Sequence, residues 1–250
     1  MVKLKSKRSK TRNITRQKRK LQTCRIFEVK IDKSHLNHTT EEHLNRVFIE
    51  AKWFYNHILS QENIFELPDD FDKLIEVPIK IKDTFENREL KCLTSHMKQS
   101  IIERAKDNII GLSVKKKNGF KVGRTKFKSN IGSIPLKQYG NTYKILDNKY
   151  IHIQGIKQKM KVNGLEQIPK KTDIANANLV QKNGDYYVKI TTYQKKEEFK
   201  PKNKSIGIDF GIKNQSTFSN GIKINYQIPV TDRLRKLAQD VSRKKLHSNN

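Results

Sequence analysis

An Asn183-Gly184 pair stands between L-V-Q-K and D-Y-Y-V-K-I-T-T-Y, and no other feature narrows the fold as far. A two-residue hairpin turn of type I′ needs left-handed backbone at both central positions, which Asn and Gly reach at least expense. After the turn, Tyr186, Val188 and Ile190 fall on every second position, so one strand face is apolar and has something to bury. That commits the chain to an antiparallel sheet. The run over 23–31 alternates imperfectly and reads as a strand, and shorter runs at 143–146, 150–153 and 160–162 add more. Gly119 and Gly123 mark turns in a stretch rich in Lys, Arg and Phe. Several short strands separated by turns predict a small barrel or open sheet.

Helical grammar occupies the stretch between the first strand and these later ones. Thr39 and Glu42 have capping-box spacing. Leu44, Val47, Phe48, Ala51, Phe54, Tyr55 and Ile58 then recur on one helical face. A second helix over 94–112 presents Met97, Ile101, Ile102, Ala105 and Ile109, with Gly111 as its terminator. Residues 64–92, with Pro68 and Pro78, read as a linker with short elements. A boundary is expected at 195–204, where apolar residues thin out around Pro201. Beyond it come strands at 205–210, 215–218 and 223–226, an Asn220-Gly221 turn, and a basic helix from Thr231 or Asp232 carrying Leu234, Leu237 and Val241. The fold class is α+β.

Charge says what such a fold would meet. Lys and Arg number 53 against 25 Asp and Glu, a net charge of +28. A compact chain with that excess repels itself unless a polyanion neutralises it, and nucleic acid does so with release of condensed counterions. The competing explanation is a ribosomal-type or genome-wide Lys bias. Ten Lys or Arg and no acid lie within residues 1–20, a basic arm that is either disordered or ordered on RNA or DNA. No apolar run approaches the roughly 18–20 residues of a membrane span, and the basic N-terminus lacks a signal peptide's apolar segment. No membrane partner is expected, and the expected compartment is the cytoplasm. Cys24 and Cys92 are the two cysteines, too few for a disulfide framework or a four-cysteine zinc site.

The chemistry-bearing segment is I-G-I-D-F-G, 206–211. An apolar strand delivering Asp209 between glycines, followed by an antiparallel meander, is how ribonuclease-H-like nucleases begin. By itself the motif is weak: it also resembles the phosphate-binding start of actin-like ATPases, and a strand-ending Asp can simply cap a turn.

Five segments in order carry a family resemblance. They are A-K-W-F-Y-N (51–56), G-R-T-K-F-K (123–128), N-G-D-Y-Y-V (183–188), I-G-I-D-F-G (206–211) and L-R-K-L-A-Q-D-V-S-R-K-K (234–245). Together they resemble the TnpB/OrfB family of transposon-encoded, RNA-guided DNA endonucleases, long described as transposases of DNA recombination. Thr125 and Lys126 depart from the family's usual order in the second segment. The resemblance implies an OB-like wedge β-barrel with an inserted helical recognition lobe, followed by an incomplete RuvC (ribonuclease H-like) domain. In residue terms it implies a basic arm and first wedge strand at 1–34, a recognition lobe at 35–113, the wedge barrel at 114–200 and the start of the RuvC-like domain at 201–250. It implies a guide RNA from the transposon end, a target DNA, and Mg²⁺ held by Asp209 as catalytic and metal-binding residue.

Against the family pattern, the later Glu motif, the zinc ribbon and the final Asp are absent from these 250 residues. Two-metal hydrolysis needs several carboxylates, so the expectation is a chain that binds without cutting alone. It would be a fragment, one piece of a split protein whose separately encoded C-terminal nuclease portion is a partner, or a non-catalytic RNA/DNA-binding repressor or accessory factor. Candidate nucleic-acid contacts are Trp53, Tyr55 and Asn56 in the first long helix, Arg124, Lys126 and Lys128 in the glycine-led segment, and Arg235, Lys236, Arg243 and Lys244 in the last helix. Aromatic faces stack on bases, whereas Phe54 belongs to the core stripe. Phe127 is expected to anchor its segment between the cations, and Asp232 to cap the last helix.

Overall fold

Residues 7–81, 84–196, 205–211, 215–225 and 230–243 are described by the computed structural model. Their contacts separate 1–196 from 197–250 as two units. The first unit opens with helix α1 (Lys7–Lys20) and strand β1 (Gln22–Ile31). Helix α2 (His38–Leu59), strands β2 (Glu76–Ile81) and β3 (Thr84–Glu89), and helix α3 (Ser95–Lys117) follow. Six strands complete it: β4 (Ser133–Leu136), β5 (Tyr143–Leu146), β6 (Tyr150–Ile153), β7 (Met160–Asn163), β8 (Asp173–Lys182) and β9 (Asp185–Lys195).

The Asn183-Gly184 turn joins β8 to β9, with φ of 52° and 78° at its two residues, as the sequence requires. These strands belong to a seven-stranded antiparallel, nearly closed, barrel-like sheet ordered β4-β8-β9-β1-β7-β6-β5. The first strand of the chain thus lies between β9 and β7, pairing Val29 with Val188 and Ile31 with Val162. Alternation puts Val188 and Ile190, Ala177 and Leu179, and Ile151 and Ile153 into one buried core. Removing each large aliphatic side chain from water is worth about 1.5–3 kcal/mol.

The buried stripe of α2, from Leu44 through Val47, Phe48, Ala51 and Phe54 to Ile58, is the one the periodicity marks. Its start differs from the expected capping box. Asn37 is the cap, its side chain accepting from the Thr40 N–H at 2.8 Å, and Thr39 falls inside the first turn. The second helix begins at the cap Thr94 but runs through Gly111 to Lys117. One exposed glycine weakens a helix by only about 1 kcal/mol, and Lys115, Lys116 and Lys117 suit the negative end of the helix dipole. The 64–92 region holds a true hairpin, registered from Glu76 with Glu89 to Ile81 with Thr84. Every residue of β3 is exposed, so no alternation betrays it in the sequence.

One buried carboxylate locks the helices together. Glu50 of α2 is fully buried and accepts from the backbone N–H groups of Lys91, Cys92 and Leu93 at 3.1, 2.9 and 3.0 Å. Arg46 donates to it from one turn earlier, Nε to Oε1 at 2.9 Å. Four donors satisfy a charge that would otherwise be prohibitive to bury.

Residues 7–20 of the basic arm are helical. The C-terminal end of α1 is tied to the sheet through Asp173 of β8, which receives Lys18 Nζ at 2.7 Å, Gln22 Nε2 at 3.0 Å and Arg19 Nη1 at 3.3 Å. The Arg19 guanidinium also stacks over Tyr193, 3.7 Å from the ring centre. Hydrogen bonds from Lys18 and Gln22, with the charges of Lys18 and Arg19, hold the Asp173 carboxyl down to about 2.

In the second unit, β10 (Ile208–Asp209), β11 (Ser216–Phe218) and β12 (Lys223–Ile224) form an antiparallel sheet in that order, followed by helix α4 (Asp232–Arg243). The sequence run to 226 ends beyond the described residues. Thr231, not Asp232, caps α4: its side chain accepts from the Leu234 N–H at 3.3 Å and its carbonyl from the Arg235 N–H at 3.0 Å. Asp232 instead pairs with Arg235. Among the described residues, no helix is long and apolar enough to cross a membrane.

Candidate nucleic-acid interface

Asn56 lies one residue beyond the buried Tyr55 on α2, half-buried at the helix margin. Its amide makes two hydrogen bonds with the backbone of Lys128. Nδ2 donates to the Lys128 carbonyl at 2.9 Å, and Oδ1 accepts from the Lys128 N–H at 2.8 Å. A side-chain amide has one donor and one acceptor edge at the separation of a peptide's N–H and C=O, so Asn56 pairs with the segment as a strand neighbour would. Residues 120–132, which have no helix or strand of their own, are fixed at this point and again where Gly132 accepts from the Gln181 N–H at 2.9 Å. Two segments separated by about seventy residues in the chain therefore meet in space.

Between this segment and α3 runs a cleft of about 510 Å³, lined by Lys115, Arg124, Lys126 and Lys128 with Asp107 as its acid. All four cations are exposed. The floor is neutral: the Tyr55 hydroxyl accepts from Asn108 Nδ2 at 3.3 Å. Gly111, Lys115 and Asn108 share one face of α3 at spacings of three and four, and nothing lies within 4 Å of a side chain built on Gly111. The face stays open there. A second cleft of about 280 Å³ continues along Tyr55 and Lys128 to Arg104. Arg104 donates Nη1 to the Ser133 carbonyl at 2.5 Å and Nη2 to Asn178 Oδ1 at 3.2 Å. Burial pushes its guanidinium below the ordinary value, yet an Arg remains a cation.

The sequence-derived residues separate in this geometry. Asn56, Arg124, Lys126 and Lys128 come together. Tyr55 is buried, 4% exposed, and offers the cleft only its hydroxyl edge, so its ring is not free to stack on a base. Trp53 is half-buried against the core with the Arg46 guanidinium 4.7 Å above its ring. Phe127 does not anchor the segment, being 65% exposed; Asn56 does that work. Arg104, Asn108 and Lys115 were not singled out by the sequence. Their signal is a polar stripe at 104, 108, 111 and 115, one helical face, readable only once the helix is known to pass Gly111.

The remaining candidates belong to the other unit. Asp209 lies exposed on β10, paired with Thr217. Arg235, Lys236 and Arg243 are exposed on α4, and Lys244 lies outside the described residues. Among the described residues no three His, Cys, Asp or Glu side chains gather in a group that could hold a metal ion. A lone exposed carboxylate does not fit a two-metal Mg²⁺ centre, and no step is derived through one.

No family model matches the chain, and comparison with curated proteins gives no match.

Proposed function

We propose that this chain is a polynucleotide-binding protein of the transposon-linked, RNA-guided endonuclease kind, and that these 250 residues grip RNA rather than cut DNA. The observation that carries this reading is the cleft at the Asn56–Lys128 clamp, where four exposed cations converge with a single acid. Cations gathered along one cleft are suited to phosphates, which hold a polynucleotide without reading its sequence. The five-segment resemblance supplies the narrower content. The barrel-like sheet would be the OB-like wedge, α2 and α3 the recognition lobe, and the second unit the opening of a RuvC-type domain bearing Asp209. Guide RNA would occupy the basic cleft and pair with target DNA, the protein holding backbone and shape. A binding-only role, as a repressor or accessory factor, is the alternative reading of the same residues.

Binding of a structured RNA by the purified chain, measured between about 50 and 200 mM salt, tests the reading. Changing Lys115, Arg124, Lys126 and Lys128 to Gln should flatten the log–log salt dependence by about 0.7–0.9 for every phosphate that is no longer neutralised. An unaltered slope would remove the cleft from the interface. Incubation with that RNA, Mg²⁺ and a matched DNA duplex should leave the DNA intact, and efficient cleavage would refute the binding-only assignment.

A further inference from the structure

Helix α1 is a basic element whose residues do not line the cleft. Eight of its 14 residues are Lys or Arg, and none is acidic. Arg16 and Lys20 stand at i, i+4, an arrangement of like charges that destabilises an isolated helix. Neither is buried: every residue from Asn13 to Lys18, and Lys20, is exposed, and Arg19 is half-buried. The helix is held at its C-terminal end, through the Asp173 contacts of Lys18 and Arg19 and the stack on Tyr193. Fourteen residues extend about 21 Å at 1.5 Å each, a distance along which duplex DNA presents about a dozen phosphates.

The exposed surface has a composition beyond charge. Asn13 and Gln17 lie one turn apart, and Ile14, 67% exposed, lies beside them. Asn and Gln present the donor–acceptor pair that matches the major-groove edge of adenine, and an apolar side chain matches the methyl of its thymine partner. A solvated tail has no need of an exposed isoleucine. We infer that α1 docks in the major groove of B-form duplex DNA, with Asn13, Ile14 and Gln17 toward base edges and the flanking cations on phosphates. The groove form follows from size. A helix with side chains is about 10–12 Å across and the B-form major groove about 12 Å wide, whereas the A-form groove is too narrow and deep for side chains to read. The tie to Asp173 pre-organises the helix, so DNA meets a formed element rather than a coil.

The inference rests on the polynucleotide-binding reading, and the test separates the two. The full chain is titrated with a fluorescent duplex DNA, the same sequence as duplex RNA, and a single-stranded RNA. Asn13→Pro breaks the helix without changing charge. It should weaken duplex DNA binding about tenfold and leave single-stranded RNA unchanged, since the helix interior rejects proline. Arg16→Gln with Lys20→Gln should lower the duplex DNA salt slope by about 0.9 for each phosphate released. Both changes lie outside the barrel core, and an unchanged thermal midpoint confirms folding. If Asn13→Pro binds duplex DNA as the parent does, or loses duplex DNA and duplex RNA equally, α1 is a charged tether and the inference fails. Should the parent chain bind none of the three, the broader reading fails first.

Discussion

Glu50 shows how one residue can decide a local fold. Its carboxylate saturates three consecutive backbone N–H groups in the turn that leads into α3. Glu50→Ala leaves those donors without an acceptor and should lower unfolding free energy by about 3 kcal/mol. Glu50→Gln returns one acceptor oxygen and should recover part of that; chemical denaturation of the three proteins measures both. His57 is the second informative residue. It stacks on Phe71 with ring centres 5.4 Å apart, and burial lowers its pKa from the ordinary 6.5. The unfolded chain therefore takes the proton more readily than the folded one. Stability contributed by the neutral ring is complete above 6.5 and declines as pH falls through that value toward the folded pKa. A thermal midpoint that declines from pH 7.5 to 5.5 in the parent should decline less in His57→Phe, and parallel curves would count against the assignment.

At the scale of elements, the clamp between α2 and the 120–132 segment makes a directional prediction. Asn56→Ala should free the backbone of Lys128, speed amide exchange across 124–132 and reduce RNA affinity several-fold with every cation still in place. Asn56→Asp, which keeps the acceptor and loses the donor, should fall between. Amide exchange unaffected by either change would show that the cleft does not depend on Asn56. The tie of α1 responds to acid instead. Because Asp173 sits near 2 when folded, against an ordinary 3.8, its contribution is complete above about 3.8 and disappears only as pH approaches 2. Affinity dependent on α1 should thus show no step from this group between pH 5 and 8, whereas Asp173→Asn should weaken it at any of those values.

Elements also differ in how visible they are in the sequence. The β8–β9 hairpin and the α2 stripe are plain, because each has a buried face that imposes its period, whereas β1 buries Val29 and Ile31. The β2–β3 hairpin is not, since only Val77 among its residues is buried and neither period is enforced. The cap at Asn37 was hidden by a better-looking pair two residues later, and the passage of α3 through Gly111 by a residue that ends helices elsewhere. Of the candidate interface, the cations of 124–128 were legible from charge. Asn56's partner and the α3 face were not, for they are relations between distant segments.

For the whole molecule, a charge of +28 sets the terms. Surface cations are screened over a Debye length of about 8–10 Å at ordinary salt, so nucleic-acid affinity should collapse as salt rises. The packing of α2 against α3 should hold. Its buried acid, Glu50, is compensated locally by Arg46 and three peptide N–H groups. If the proposed binding holds, brine that removes the nucleic acid would leave the scaffold folded and able to bind again on dilution. Purification at high ionic strength followed by reconstitution is thus a route the architecture itself provides.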